Sequence, residues 1–207
     1  SDFEGKENLR QLLINKAPKY GNDIEEVDQY AHWLAQLCNE QICKHTDGRN
    51  GQYTMVISTQ SYNVVLGQLI GALPDGRKAY TALADNASPM IGMDVNGPTA
   101  VVKSLGRIDP LIAQSGVLVN QRFDPAIVKG DKGLQIIETV IRTYFDEQHG
   151  QHIQLNIVDD ETLRAAQKEP QKYRNILVRV AGYSAYFVDL EKDIQDNIIA
   201  RTLQQSL

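Results

Sequence analysis

The chain has 207 residues, of which 42% are hydrophobic and 23% charged, as in a globular protein rather than a disordered one. This length suits one ordinary domain or a large piece of a bigger protein. A net charge of −5 and the lack of a long apolar run argue against nucleic acid and membrane as partners.

The first residues and the cysteine content favour a cytoplasmic location. The opening "SDFEGKENLRQLL" lacks the apolar core of a signal peptide. Cys38 and Cys43 are the two cysteines, and we expect both to be free thiols buried in a helix, as in a reducing compartment. Neither these cysteines nor the four histidines have the spacing of a metal motif, so no metal site is expected.

The first half of the chain predicts a helix, an extended segment and a structured loop. Apolar residues at helical spacing predict a helix over 24–45, with Asp23 as its N-cap. The β-branched residues of 53–71 favour extended structure, which ends before the turn "LPDGR". The residues from Leu83 to Pro98, rich in Asp, Asn, Gly and Pro, indicate an ordered irregular loop before a helix over Thr99–Gly106.

The second half alternates between strands and helices. Strands are predicted at 116–123, 152–158 and 177–190, and helices at 130–149, from an N-cap Asp159 to before Pro170, and at 191–205. This alternation is typical of α/β architecture with crossover helices.

Gly182 lies in the middle of the last predicted strand, where a glycine weakens packing and loses the most entropy on ordering. A close-packed neighbour would explain it structurally, and chemistry at its Cα would explain it functionally. Two polar faces also stand out on extended segments. Thr59, Ser61 and Asn63 would share one face, which either lines a cavity or pairs with loops. His152, Gln154 and Asn156 share another, which predicts a buried hydrogen-bond network.

Six stretches in this order resemble the C-terminal region of glycyl radical enzymes, the pyruvate formate-lyase-like family, and the last matches the family's signature around its radical glycine. They are "ALPDGR" (72–77), "LADNASP" (83–89), "NGPTAVVKS" (96–104), "LVNQRF" (118–123), "HIQLNIV" (152–158) and "RVAGYSAYFVDL" (179–190). The resemblance covers nearly the whole chain, which would be about the final quarter of a family member.

This resemblance implies the fold and the site. The fold would be the C-terminal part of a ten-stranded α/β barrel, with the barrel portion in residues 1–150 and the glycyl radical domain in 151–207. Gly182 would store the radical as a post-translational modification, with no cofactor bound, since a glycine has no Cβ to clash when its Cα becomes planar. Burial would keep solvent and oxygen away from it. A separate radical S-adenosylmethionine activating enzyme would remove the hydrogen.

The resemblance also implies a reaction and partners. In the family a cysteine on a "GC" loop receives the radical and abstracts a hydrogen atom from a small-molecule substrate. The sequence around Gly182 is more similar to the dehydratase and decarboxylase branches. No such loop occurs in this chain. We therefore expect a truncated piece or a split subunit that needs a cysteine-bearing N-terminal part, with a dimer of the assembled enzyme. By analogy Thr59, Ser61 and Asn63 would bind substrate. The alternatives are a small spare-part protein that restores an oxygen-damaged partner, or part of a formate acetyltransferase-like enzyme.

Overall fold

Within residues 2–206, the computed structural model contains seven α-helices and five β-strands. The helices are α1 (Glu7–Lys16), α2 (Glu25–Ile42), α3 (Tyr62–Gly67), α4 (Pro98–Gly106), α5 (Gly130–Arg142), α6 (Asp160–Lys168) and α7 (Lys192–Ala200). The strands are β1 (Leu118–Phe123), β2 (His152–Ile157), β3 (Leu177–Arg179), β4 (Ser184–Tyr186) and β5 (Leu203–Gln204). None of these helices is both long and apolar enough to cross a membrane.

Three strands form a parallel sheet in the order β2-β1-β5. Leu118 lies opposite His152 at the start of the β1–β2 pair, and Phe123 lies opposite Ile157 at its end. Helix α5 connects β1 to β2, which is the crossover that parallel neighbours require. The predicted α/β architecture with crossover helices is confirmed.

The apolar side chains collect into two clusters. The first surrounds β1, α4 and α5, where Val102, Val119 and Val140 are fully buried. The second packs α6 and α7 against the β3–β4 hairpin through Leu163, Phe187 and others. Ile153 and Leu155 of β2 pack against the first cluster, so this cluster includes residues from both sides of the predicted division at residues 150 and 151. The division itself stays a prediction.

The segment predicted as extended up to Gly71 contains helix α3 instead. The chain turns at Gln60, where φ is +51°, and helix α3 follows from Tyr62. Asn63, Val64 and Gly67 are the buried positions, and this spacing follows one helical face rather than alternating. Tertiary packing has therefore overridden the β preference of the two valines.

The predicted strand over 177–190 is an antiparallel hairpin. Strands β3 and β4 pair so that Arg179 lies opposite Ser184. The Val180 amide donates to the Tyr183 carbonyl at 2.9 Å, which leaves Ala181 and Gly182 as the two residues of the turn. The glycine thus interrupts no strand.

Three smaller predictions are also corrected. The residue before the first turn of α2 is Ile24 rather than Asp23, whose carboxylate accepts from Arg107 at 3.0 Å. Cys38 is exposed and Cys43 is half-buried, so they are not buried thiols. The last helix ends at Ala200 because the chain becomes extended at Arg201 and enters β5.

Candidate functional site

Gly182 occupies the tip of the β3–β4 hairpin with φ +82°, a conformation that residues with a Cβ rarely adopt. A Cβ built on it would have no atom within 4 Å, so close packing does not require the glycine here. The residue is exposed within this chain, which contradicts the expectation that it is buried. The geometry therefore leaves one side of the Gly182 Cα open to an approaching group.

Strand β2 supplies the side chains that bind the backbone of the hairpin. The Gly182 amide donates to Gln154 Oε1 at 3.1 Å, and Gln154 Nε2 lies 2.9 Å from His152 Nε2. Asn156 both donates to the Arg179 carbonyl at 2.8 Å and accepts from the Arg179 amide at 2.7 Å. The hydrogen-bond network predicted for this face of β2 is confirmed.

Arg201 holds the hairpin from the other side. Its guanidinium donates to the Val180 carbonyl at 2.7 Å and to the Arg179 carbonyl at 3.2 Å. It lies 3.6 Å from the Asp85 carboxylate, and both side chains are buried. Burial lowers the pKa of Arg201, an effect that the neighbouring Asp85 carboxylate opposes.

Asn120 of β1 joins these groups to the sheet. Its amide donates to the Asp85 carboxylate and, at 3.2 Å, to the Val180 carbonyl. Sequence reasoning missed Asp85, Asn120 and Arg201. A detectable signal was present in the polar run "NQR" inside the otherwise apolar strand β1, because polar groups buried in a strand need partners.

The three residues predicted to share a polar face do not share one. Thr59 lines an open cavity of about 530 Å³ between α2 and the loops at 55–59 and 86–88. Ser61 is the residue before the first turn of α3, and Asn63 is buried, where its side chain donates to the Leu83 carbonyl at 3.2 Å. The turn at Gln60 separates them, which is why alternation failed.

The cavity and the glycine turn are connected by hydrogen bonds. Thr59 Oγ1 accepts from the Asn86 amide at 2.9 Å, and Asn86 Nδ2 donates to Asp85 Oδ2 at 3.1 Å. Asp85 in turn accepts from Asn120, which contacts Val180 beside the turn. The loop predicted from Leu83 to Pro98 therefore lies between the two features.

Across residues 2–206, no group of three or more His, Cys, Asp or Glu side chains is arranged to hold a metal ion. The distinctive arrangement is instead a backbone glycine whose neighbouring peptide groups are fixed by buried polar side chains.

Comparisons with known proteins agree with this arrangement. A family model described as "Glycine radical" matches residues 83–188, and one described as "Pyruvate formate lyase-like" matches residues 1–67. The chain is 45% identical to the "Probable dehydratase YbiW" of Escherichia coli (strain K12), over 97% of this chain and 26% of that protein. It is 39% identical to the trans-4-hydroxy-L-proline dehydratase of Clostridioides difficile, over 99% of this chain and 26% of that protein.

A solved structure gives the same result for the fold. The glycerol-bound B12-independent glycerol dehydratase from Clostridium butyricum matches with a TM-score of 0.95 and 48% identity, over 99% of this chain and 26% of that one. The predicted fold class, the C-terminal part of a barrel of this type, is confirmed. The chain spans about a quarter of the length of the proteins that it matches.

Proposed function

Since the chain belongs to the glycyl radical enzyme family, we propose that it is the radical-bearing portion of a lyase of the dehydratase type, with the radical stored at Gly182. The observation that carries this proposal is the glycine turn. Gly182 has the family's signature around it, an open side at its Cα and neighbouring peptide groups that are fixed in place. The similar proteins named above as dehydratases support the reaction type.

The proposed storage step is a hydrogen-atom transfer. An activating enzyme uses one electron from a reductant to cleave S-adenosylmethionine into methionine and a deoxyadenosyl radical. This radical takes one Hα atom from Gly182, becomes deoxyadenosine and leaves one unpaired electron on Cα. A cysteine thiol outside this chain then gives its hydrogen atom to that Cα, which restores the glycine and leaves a sulfur-centred radical. That radical abstracts a hydrogen atom from the substrate, and a neighbouring hydroxyl group then leaves with a proton as water. The product radical takes a hydrogen atom back from the cysteine thiol, which completes the product and regenerates the sulfur-centred radical.

The exposure of Gly182 supports the need for a cysteine-bearing part. Storage of a carbon radical requires shelter from oxygen and water, and the described part of this chain leaves the glycine exposed. In this proposal the cysteine-bearing part, whether upstream in the same protein or a separate subunit, covers the turn and brings its thiol to the open side. The assembled enzyme would form a dimer.

The substrate would be a small molecule with a hydroxyl group, as the names of the similar dehydratases suggest. Thr59 is the strongest candidate for substrate contact, because it lines the 530 Å³ cavity and is connected by hydrogen bonds to the glycine turn. Ser61 and Asn63 are weaker candidates for this role, since Asn63 is already bonded within the protein.

The radical role can be tested by electron paramagnetic resonance (EPR). The chain, its cysteine-bearing part and the activating enzyme are incubated with S-adenosylmethionine and a reductant without oxygen. The wild type should give a doublet from the single remaining Hα of Gly182, and Gly182→Ala should give none.

Gly92→Ala is the matched control. Gly92 is also exposed, has φ +76° and has no atom within 4 Å of a built Cβ, so both substitutions cost about 1–2 kcal/mol in backbone strain. A doublet that persists in Gly182→Ala, or that disappears equally in Gly92→Ala, would contradict the proposal. A doublet that forms only with a full-length relative cleaved at its own radical glycine would favour the spare-part alternative.

A further inference from the structure

The amide of Gly182 has one hydrogen-bond partner from a side chain, and that partner is buried. Gln154 is 3% exposed and its Oε1 lies 3.1 Å from the Gly182 nitrogen. Asn120, Asn156 and Arg201 instead contact the carbonyls of Arg179 and Val180 or the amide of Arg179. Gln154 is therefore the side chain that contacts the glycine itself.

The hydrogen bond fixes which way the Gln154 amide points. A backbone N–H can only donate, so the oxygen of Gln154 must face Gly182 and its NH₂ group must face His152. His152 Nε2 then has to accept, which requires the neutral tautomer with its proton on Nδ1. The hydrogen bonds thus run from His152 through Gln154 to the Gly182 nitrogen.

This contact matters for a radical at Cα because the unpaired electron is shared with the amide nitrogen. Sharing depends on the electron density of that nitrogen and on the rotation of its peptide plane about the N–Cα bond. A hydrogen bond from the N–H to an amide oxygen polarises the nitrogen toward donation and also restrains that rotation. The same bond has less effect on an ordinary glycine, which has no half-filled orbital to share.

We propose that Gln154, oriented by His152, is a positioning residue that sets the electronic structure and the persistence of the Gly182 radical. This inference rests on the proposed function. Gln154→Met removes the acceptor with little change in volume, and Gln154→Glu restores an acceptor oxygen. Asn156→Leu is the matched control, because Asn156 is also buried on β2 and binds the hairpin at Arg179 rather than at the glycine.

The first readout is amide hydrogen–deuterium exchange resolved to single residues, in the unactivated protein. Loss of one neutral hydrogen bond should make exchange at Gly182 about threefold to tenfold faster in Gln154→Met. Asn156→Leu should accelerate exchange at Arg179 and leave the Gly182 rate within twofold of wild type, an interval of roughly 0.4 kcal/mol.

The second readout is the EPR doublet of the activated, assembled protein. Gln154→Met should widen the splitting from the Hα and shorten the lifetime of the radical, because more unpaired spin stays on Cα. Gln154→Glu should return both quantities toward wild type, and Asn156→Leu should leave the splitting unchanged.

The outcomes separate the two proposals. No doublet in the wild type overturns the proposed function and this inference together. A wild-type doublet whose splitting is unchanged in Gln154→Met, or is shifted equally in Asn156→Leu, overturns the inference alone. If Gln154 only stabilised the hairpin, Gln154→Met and Asn156→Leu would both make the hairpin less stable. Neither variant would then change the EPR splitting from the Gly182 Hα.

Discussion

Arg201 shows how a single buried charge can organise the backbone next to Gly182. Its guanidinium contacts two consecutive carbonyls, of Arg179 and Val180, and lies beside the buried Asp85 carboxylate. Arg122 donates to the Arg201 carbonyl at 2.8 Å, so the residue is also held by its own backbone. A buried charge of this kind is stabilising only while its partners remain in place.

Arg201→Met should lower the free energy of unfolding by about 3–5 kcal/mol, because it leaves the buried Asp85 without its positive partner. Arg142→Met is the comparison, since Arg142 pairs with Glu138 at 2.8 Å on the surface and its loss should cost at most about 1 kcal/mol. Urea unfolding of both variants measures the difference, and equal costs would contradict the importance of the buried pair.

The residue patterns that succeeded and failed differ in one physical respect. His152, Gln154 and Asn156 were predicted correctly because β2 is a regular strand, in which alternate residues face the same side. The spacing of Thr59 and Asn63 gave the wrong geometry because Gln60 adopts a positive φ that no pattern of polarity reveals. Asp85 and Arg201 could not be paired from sequence, since 116 positions separate them and only the fold brings them together.

Helix α6 depends on its first turn, which leads from the sheet toward the hairpin. Asp159 is its N-cap, as predicted, and its carboxylate accepts from the Thr162 amide at 2.6 Å. This backbone hydrogen bond lowers the pKa of Asp159 below its ordinary value of 3.8. The cap matters for the site because α6 packs in the same apolar cluster as Val178 and Phe187 of the hairpin segment.

Asp159→Ala should cost about 1 kcal/mol of unfolding free energy at neutral pH, the usual value of an N-cap. Because the folded-state pKa is depressed, the charge-dependent part is present above pH 3.8 and is lost as the pH falls through the folded-state pKa. Asp159→Asn keeps a capping oxygen and removes the charge. The stability difference between wild type and Asp159→Asn, measured against pH, should shrink on acidification, and a flat difference would contradict this assignment.

The hairpin itself shows what the element patterns could and could not predict. Apolar residues on both sides of Gly182 resemble one buried strand, because a two-residue turn occupies too little sequence to interrupt the pattern. The signal that remained was the glycine, which a tight turn commonly requires. Strand β5 was likewise hidden, since two residues after a helix carry no periodicity.

At the scale of the molecule, the described surface carries many exposed apolar side chains. They are concentrated on α2 and around α3, and include Tyr30, Trp33, Leu34, Leu37, Tyr62, Val65, Leu66 and Leu69. Exposed apolar patches mark surfaces that contact other protein. They agree with the chain being about a quarter of the length of its relatives, where the remaining portion would cover these faces.

Trp33 provides a measurement of that coverage, because it is the one tryptophan of the sequence and 59% of it is exposed. Addition of the cysteine-bearing part should shift its fluorescence emission to shorter wavelength, as the indole leaves water. The signal is isolated by subtracting the emission of a Trp33→Phe sample. An unchanged difference spectrum would show that α2 stays in water after assembly.

Strand β1 lies between β2 and β5, and this order limits how far the segment of residues 158–202, which contains Gly182, can move from the sheet. Residues 158–202 connect the end of β2 to the start of β5, and these two strands lie on opposite sides of β1. The two ends of the segment are therefore about 10 Å apart, which is two strand spacings. A flexible chain of that length would have ends roughly 35–40 Å apart on average. If the segment moves away from the sheet as a rigid body, it remains joined to β2 and β5 at its two ends. Its effective concentration at its binding position on the sheet therefore stays high, and it can bind there again quickly.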